Sequence, residues 1–301
     1  MGLDENSLKI FQSVRKEENF NFSKHTTYGL GGTANVAYYP ENEKQVKAVY
    51  DYLTANGEKF VTLGNGSNLL ASDKNYNGAV IVTKGLKGFL RTGENTFFCY
   101  AGTTVSALLK YCVSNGFGGL EYLAGIPATV GGLLYMNGGA GGTYIESNVV
   151  KVKFYDGRIH CFSNTSCHFG NKYSTMRGIN CVILGAELKF TPQNGDEIKE
   201  KISGYLERRK FHPKGRSCGC VFKNVNGISA GKLIDETGLK GLSIGGAMVS
   251  CEHANFIINH GGKAADVYLL IKEVKRRVFE RTGIRLEDEV VYIGEFNDTF
   301  I

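Results

Sequence analysis

The sequence predicts an α+β fold of two or three domains, and two observations carry that reading. Helix-type and strand-type periodicities alternate irregularly along the 301 residues, unlike the regular repeat of a doubly wound parallel sheet. Two of the strands are joined by Asp156-Gly157, a signal for an antiparallel hairpin. A chain of this length can bury a sizeable core, and a composition of 42% hydrophobic and 21% charged residues suits a soluble globular protein.

The elements follow in order. Ser7 to Glu18 reads as an amphipathic helix, with Leu8, Phe11 and Val14 on one face. Val46, Val49, Tyr50 and Leu53 predict a second helix over Asn42 to Ala55, closed by Asn56-Gly57. Phe60–Leu63, Ala79–Val82 and Thr96–Tyr100 read as strands. Thr103 to Asn115 is a third helix stopped by Gly116. Val149–Tyr155, Arg158–Phe162 and Cys181–Phe190 are strands of a sheet, followed by a helix over Asp196 to Arg209. Val267, Leu270, Ile271, Val274 and Val278 line one face of a helix over Asp266 to Thr282, which Gly283 ends; Glu289–Ile293 is a last strand. Boundaries near Lys84–Gly88 and Thr191–Gly195 divide the chain into residues 1–84, 85–192 and 193–301.

Gly125 to Gly142, GIPATVGGLLYMNGGAGG, holds seven glycines and no charge. Glycine offers no side chain to pack and loses the most backbone entropy on ordering. Such a segment serves to bring main-chain N–H and C=O groups close to something flat or anionic. A second glycine-rich turn, Leu63-Gly64-Asn65-Gly66-Ser67-Asn68-Leu69-Leu70, follows a strand. Both could be ordinary surface turns. However, Ile126, Val130, Leu133, Leu134, Tyr135 and Met136 are interleaved with the glycines, where a solvated linker would carry serine or charge. A buried segment is favoured, and two such turns suggest a large cofactor held mainly by main chain.

The net charge of +6 comes partly from Arg208-Arg209-Lys210 and Lys275-Arg276-Arg277. Such clusters are usually solvated faces; a positive cleft for phosphorylated small molecules is the functional alternative. No interleaved aromatic and basic pattern points to nucleic acid. The eight cysteines include Cys218-Gly-Cys220 but no C-x-x-C, and the six histidines do not cluster, so no metal is expected. Cys181 and others in apolar runs read as buried reduced thiols. MGLDENSLKIF lacks a secretory pattern and no apolar run approaches ~20 residues, so a cytoplasmic, membrane-free protein is expected. The common nucleotide motifs fail. Gly64-x-Gly66-x-x-Leu69 lacks its third glycine, Gly29-x-Gly31-x-x-Ala34 leads into a strand, and Ala230-Gly231-Lys232-Leu233 lacks the Ser/Thr of a P-loop.

Seven segments in order resemble the UDP-N-acetylenolpyruvoylglucosamine reductase family, flavoenzymes of peptidoglycan precursor synthesis. They are His25–Gly32, Leu63–Leu70, Gly125–Gly142, Gly219–Asn224 (its G-S-x-F-K-N loop), Gly231–Ile234, His253–Phe256 and Leu286–Val290. The missing insertion before the C-terminal domain resembles the shorter, type II branch.

The resemblance implies a two-subdomain FAD-binding (PCMH-like) unit and a C-terminal α+β substrate-binding domain. It also implies reduction of a UDP-linked enolpyruvyl amino sugar by NADPH through FAD. Family catalysts are a glutamate, an arginine and a proton-donating serine. Glu289 matches the glutamate. The serine position holds Cys220; a thiol of reference pKa ~8.5 is mostly protonated at neutral pH and is a stronger acid than an alcohol. The arginine motif F-x-Y-R-x-S stands here as Phe169-Gly-Asn-Lys-Tyr-Ser174, so Lys172 takes the arginine's place with Arg177 close by. Lysine keeps the charge and loses the two-pronged grip on a carboxylate. Flavin contacts carried over are Tyr28, Gly64, Asn65, Gly66, Ser67, Asn68 and Leu69 at the pyrophosphate. Gly125, Ile126, Pro127, Thr129, Gly131, Gly132 and Ala140 are carried over to the ring system and adenosine, with a plain turn role competing at each position. Lys210, Asn224 and Glu252 are substrate candidates, with exposed ion pairing the competing role for the first and last. The Lys172 and Cys220 departures motivate one alternative, a catalytically impaired flavin- or nucleotide-binding relative. Another flavoenzyme on the same scaffold is a third reading.

Overall fold

The computed structural model describes residues 4–297. The chain divides into two compact units, one of Met1–Glu17, Val36–Asn65 and Gly78–Lys210, the other of Glu18–Asn35, Gly66–Asn77 and Phe211–Ile301. Helices and short sheets are mixed throughout, as an α+β fold requires. Both units are discontinuous in sequence, and the last division falls after Lys210, beyond the helix that the 193–301 segment was expected to include.

The first unit carries helices α1 (Glu5–Gln12), α2 (Glu43–Ala55), α3 (Val105–Asn115), α4 (Val130–Met136) and α5 (Gly195–Arg209). Helix α1 is shorter than its apolar spacing suggested. The chain closes it with a Ser13 hydroxyl bond to Ile10 O and then enters the strand Arg15–Asn21, whose polar run has no helical face to bury. Strand Phe60–Leu63 pairs in parallel with Ala79–Val82. A five-stranded sheet runs Ile159–Ser163, Val149–Tyr155, Val182–Lys189, Thr96–Tyr100, Phe89–Arg91, and the Asp156-Gly157 turn joins its first two strands, with Gly157 at φ +105°. The unit has two apolar cores. One gathers Val46, Val49, Leu53, Ile81, Val182 and Leu184 under α2; the other gathers Phe97, Leu108, Leu123, Val130, Leu134 and Phe154 around α3 and α4.

The second unit carries α6 (Ala230–Glu236) and α7 (Ala264–Thr282). Buried Val267, Leu270, Ile271, Val274 and Val278 form the predicted face of α7 and pack with Tyr28, Val221, Phe222 and Ile234. The start of α7 is anchored by Asp73, whose carboxylate oxygens accept from Ala264 N and Ala265 N, each at 2.9 Å. A carboxylate at that end satisfies orphan amides and faces the positive pole of the helix. Strand Val291–Ile293 adds in parallel to Leu69–Ala71, beginning two residues later than the predicted last strand.

The Lys275-Arg276-Arg277 cluster is spent locally. Arg276 and Arg277 pair with Glu273 at 2.7 and 2.6 Å, and Lys275 pairs with Asp288 at 3.0 Å. The solvated-face reading holds for them. All eight cysteines are free thiols, and burial raises those of Cys112 and Cys181 to about 12. Among the described residues, no cluster is placed to hold a metal, and no helix is long and apolar enough to cross a membrane.

Candidate active site

In the first unit the two glycine-rich segments meet. Asn65 Nδ2 donates to Pro127 O at 2.7 Å, and a Cβ on Gly64 would lie 2.5 Å from Thr129 Oγ1. A side chain at residue 64 is excluded by that contact, which accounts for glycine there. Thr129 is buried and caps α4 through Gly132 N, so Gly125–Gly142 is not one loop but a turn, a short helix and a β-ribbon. Val130, Leu133 and Leu134 anchor that helix in the core. Gly131 is pressed against Ala101, its virtual Cβ at 3.0 Å, while a Cβ on Gly132 would make ordinary contact with Thr129 Oγ1 at 3.6 Å. Gly125 adopts φ +78°, where Ile126 and Pro127 lead into the helix, and Ala140 sits in the ribbon with Thr143.

The loop Phe169–Gly178 is fastened to α4: Ser174 Oγ donates to Tyr135 O at 2.9 Å, and Asn137 Nδ2 to Gly170 O at 3.0 Å. Both candidate cations sit on this loop. The Lys172 ammonium lies 5.6 Å from the Tyr144 ring centre, with its backbone at φ +54°. The Arg177 guanidinium lies over Tyr135 and donates to Lys172 O at 2.7 Å. Arg177 therefore braces the lysine's backbone as well as adding positive charge. Lys210 is at the exposed end of α5, paired with Glu207 at 2.5 Å.

In the second unit the chain around Cys220 is a hub. Cys220 bridges Phe256, and Phe222 bridges Asp288. Glu289 N donates to Val221 O at 2.7 Å, which sets the glutamate beside the cysteine's neighbour. In the same segment Glu287 pairs with Lys223 at 3.3 Å and Asp288 with Lys275 at 3.0 Å. Asn68 fixes the same segment: its Nδ2 donates to Glu289 O and its own carbonyl accepts from Val291 N, both at 3.0 Å. Gly66, at φ +65°, passes so close to His25 that a Cβ would meet its carbonyl oxygen. Ser67 is half-buried, and Leu69 is buried at the start of its strand.

Tyr28 is fully buried, so what it can offer a ligand is backbone; its carbonyl is already held by Asn259 Nδ2 at 2.9 Å. Its hydroxyl has no oxygen or nitrogen partner and interacts with the Cys218 thiol. Burial pushes that thiol up to about 12, against a lowering contribution from the Tyr28 hydroxyl, and the Glu289 charge and Cys220 add to the rise. Burial, followed by the Cys218 charge, raises Tyr28 well above the ordinary tyrosine range. Asn224 is exposed, its Oδ1 accepting from Ala230 N at 3.1 Å at the start of α6, and Glu252 is an exposed loop residue. The sequence reading passed over Cys218 and Asn255. The only signal for them was a second cysteine and a buried-type motif, His253-Ala-Asn-Phe256.

Among the described residues, the amides of Gly64 and Asn65 in the first unit, and of Gly66, Ser67 and Asn68 in the second, donate to no main-chain carbonyl outside helices and strands, so within each unit they fit the main-chain anion contacts an FAD pyrophosphate would need. Glycine at 64 and 66 keeps side chains away from them.

The fold and these residues define an FAD-binding protein of the mixed α+β type: an FAD binding domain model matches residues 34–160. Residues 211–293 match the C-terminal domain of UDP-N-acetylenolpyruvoylglucosamine reductase. The protein of that name from Carboxydothermus hydrogenoformans is 37% identical over 92% of this chain and 94% of its own length. The one from Halalkalibacterium halodurans is 36% identical over 96% and 98%. The crystal structure of the Thermus caldophilus reductase superimposes with a TM-score of 0.79 at 34% identity, covering 93% of this chain and 99% of that one. The chain belongs to the UDP-N-acetylenolpyruvoylglucosamine reductase family.

Proposed function

We propose that this chain is a cytoplasmic, FAD-dependent reductase that uses NADPH to convert UDP-N-acetylglucosamine enolpyruvate to UDP-N-acetylmuramate. The observation that supports the reading is the main-chain bond from Glu289, the candidate glutamate, to Val221, the residue after the candidate proton donor Cys220, in a chain of this family. Tyr28 and residues 64–69 would hold the FAD pyrophosphate by main chain; Gly125, Ile126, Pro127, Thr129, Gly131, Gly132 and Ala140 would hold the ring system and adenosine. Bound there, FAD would supply the hydride-carrying chemistry between NADPH and the substrate alkene.

Hydride addition at one alkene carbon builds negative charge on the next carbon and its carboxylate. Lys172, braced by Arg177, supplies positive charge for that carboxylate. The Cys220 thiol gives its proton to the charged carbon and regains one from solvent, while Glu289 orients the reacting end of the substrate. Lys210, Asn224 and Glu252 are the candidates for the sugar nucleotide.

Anaerobic stopped-flow absorbance tests the reading. NADPH should bleach the yellow protein, and the enolpyruvyl sugar nucleotide should restore its colour. Bleaching with no substrate-driven recovery would leave a flavoprotein that is not this reductase.

A further inference from the structure

Asn255 is 4% exposed, and its carboxamide is committed to the run that carries Cys220. Its Oδ1 accepts from Val221 N at 3.2 Å and Phe222 N at 2.9 Å, and its Nδ2 donates to Phe222 O at 2.9 Å. Its main-chain carbonyl also accepts from Val221 N at 2.9 Å. The opposite edge of the same run is held by Glu289, through Val221 O. One buried side chain thus serves three main-chain groups immediately after the thiol, and the other edge of that peptide carries the glutamate.

We propose that Asn255 is a positioning residue for proton delivery, fixing the Cys220 thiol relative to Glu289. The proposal rests on the reading of Cys220 as the acid. Without the carboxamide, Phe222 N–H and C=O lose these partners while Val221 N keeps the Asn255 carbonyl, and the 220–222 run must shift or admit water to satisfy them. Either change moves the thiol, and proton transfer tolerates little displacement. Substitution by aspartate keeps the shape and one acceptor but turns an N–H donor facing Phe222 O into a second oxygen.

The test uses the flavin-loaded protein carrying Asn255→Asp, with Asn255→Ser as the second variant. Asn164→Asp is the control, since Asn164 holds two main-chain carbonyls, of Glu146 and Val149, within the first unit, whereas Cys220 belongs to the second. Asn255→Asp should leave bleaching by NADPH within about twofold and slow reoxidation by substrate about 100-fold, the size expected for a misplaced reacting group. A second readout needs no flavin: iodoacetamide labelling of Cys220, followed by peptide mass spectrometry on the apoprotein, should change rate several-fold with Asn255→Asp and not with Asn164→Asp. Equal slowing of both half-reactions, unchanged labelling, or failure of both Asn255 variants to fold would overturn the proposal. If Cys220→Ala reoxidises at the unaltered rate, the reading of Cys220 fails instead, and the labelling result still reports whether Asn255 places that thiol.

Discussion

Cys220 and Glu289 come from distant parts of the sequence, and the segments that carry them are joined by main-chain bonds that include Glu289 N to Val221 O at 2.7 Å and Lys223 N to Glu287 O at 2.9 Å. Their types were legible from motif position, but their juxtaposition was not, because a main-chain ladder between non-adjacent segments leaves no local pattern. Asn255 was hidden for the same reason: a buried amide is recognised by its partners, and those are tertiary. Tyr28 shows the opposite case, a residue whose motif suggested ligand contact and whose side chain is covered by core. Lys172 stands where the family motif has arginine, and its proposed role is to place positive charge at the substrate carboxylate. Lys172→Ala should therefore slow reoxidation by substrate at least ~10-fold, the scale of one lost charge-assisted contact, while Lys172→Arg should retain or improve it. Equal rates for all three proteins would remove Lys172 from the site. His253 supplies a pH prediction. Burial lowers its pKa below 6.5, with the Lys240 charge acting in the same direction and its own backbone opposing. The unfolded chain then binds more protons than the native one just below pH 6.5, so stability falls as pH drops through that window. Denaturant titrations of His253→Gln should show a flatter dependence there; an unchanged slope would contradict the assignment.

At the level of elements, periodicity located helices α2, α3, α5 and α7 with small boundary errors, since each buries a clear apolar face or has a recognisable cap. It overextended α1, where the apolar spacing continued past the point at which the chain pairs as a strand. It also missed α4, because glycines disguise a helix whose apolar residues pack inward. Helix α7 depends on a contact no helix pattern reveals, the Asp73 carboxylate on Ala264 N and Ala265 N. Asp73→Ala should lower stability by about 1 kcal/mol, or ~2 °C in Tm, as loss of a capping carboxylate does. Asp73→Asn should recover part of this. A melting temperature unaffected by either change would show that the carboxylate is not anchoring the helix.

For the whole molecule, the two units divide the candidate residues. Lys172, Arg177 and the Gly125–Gly142 segment belong to the first; Cys220, Asn255 and Glu289 belong to the second. The family was legible in the sequence because its motifs recur in order, whereas the discontinuous units were not, since segments such as 18–35 and 66–77 join a unit whose remainder begins at residue 211. The proposed chemistry divides into two half-reactions, hydride uptake from NADPH and proton-coupled delivery to substrate, and Lys172 as well as Cys220 is assigned to the second. Cys220→Ala followed through both half-reactions tests this most directly. Bleaching by NADPH should match that of the unaltered protein, and reoxidation by the enolpyruvyl sugar nucleotide should slow by about 10²–10⁴, the contribution of a general acid. Reoxidation at the unaltered rate would contradict the account.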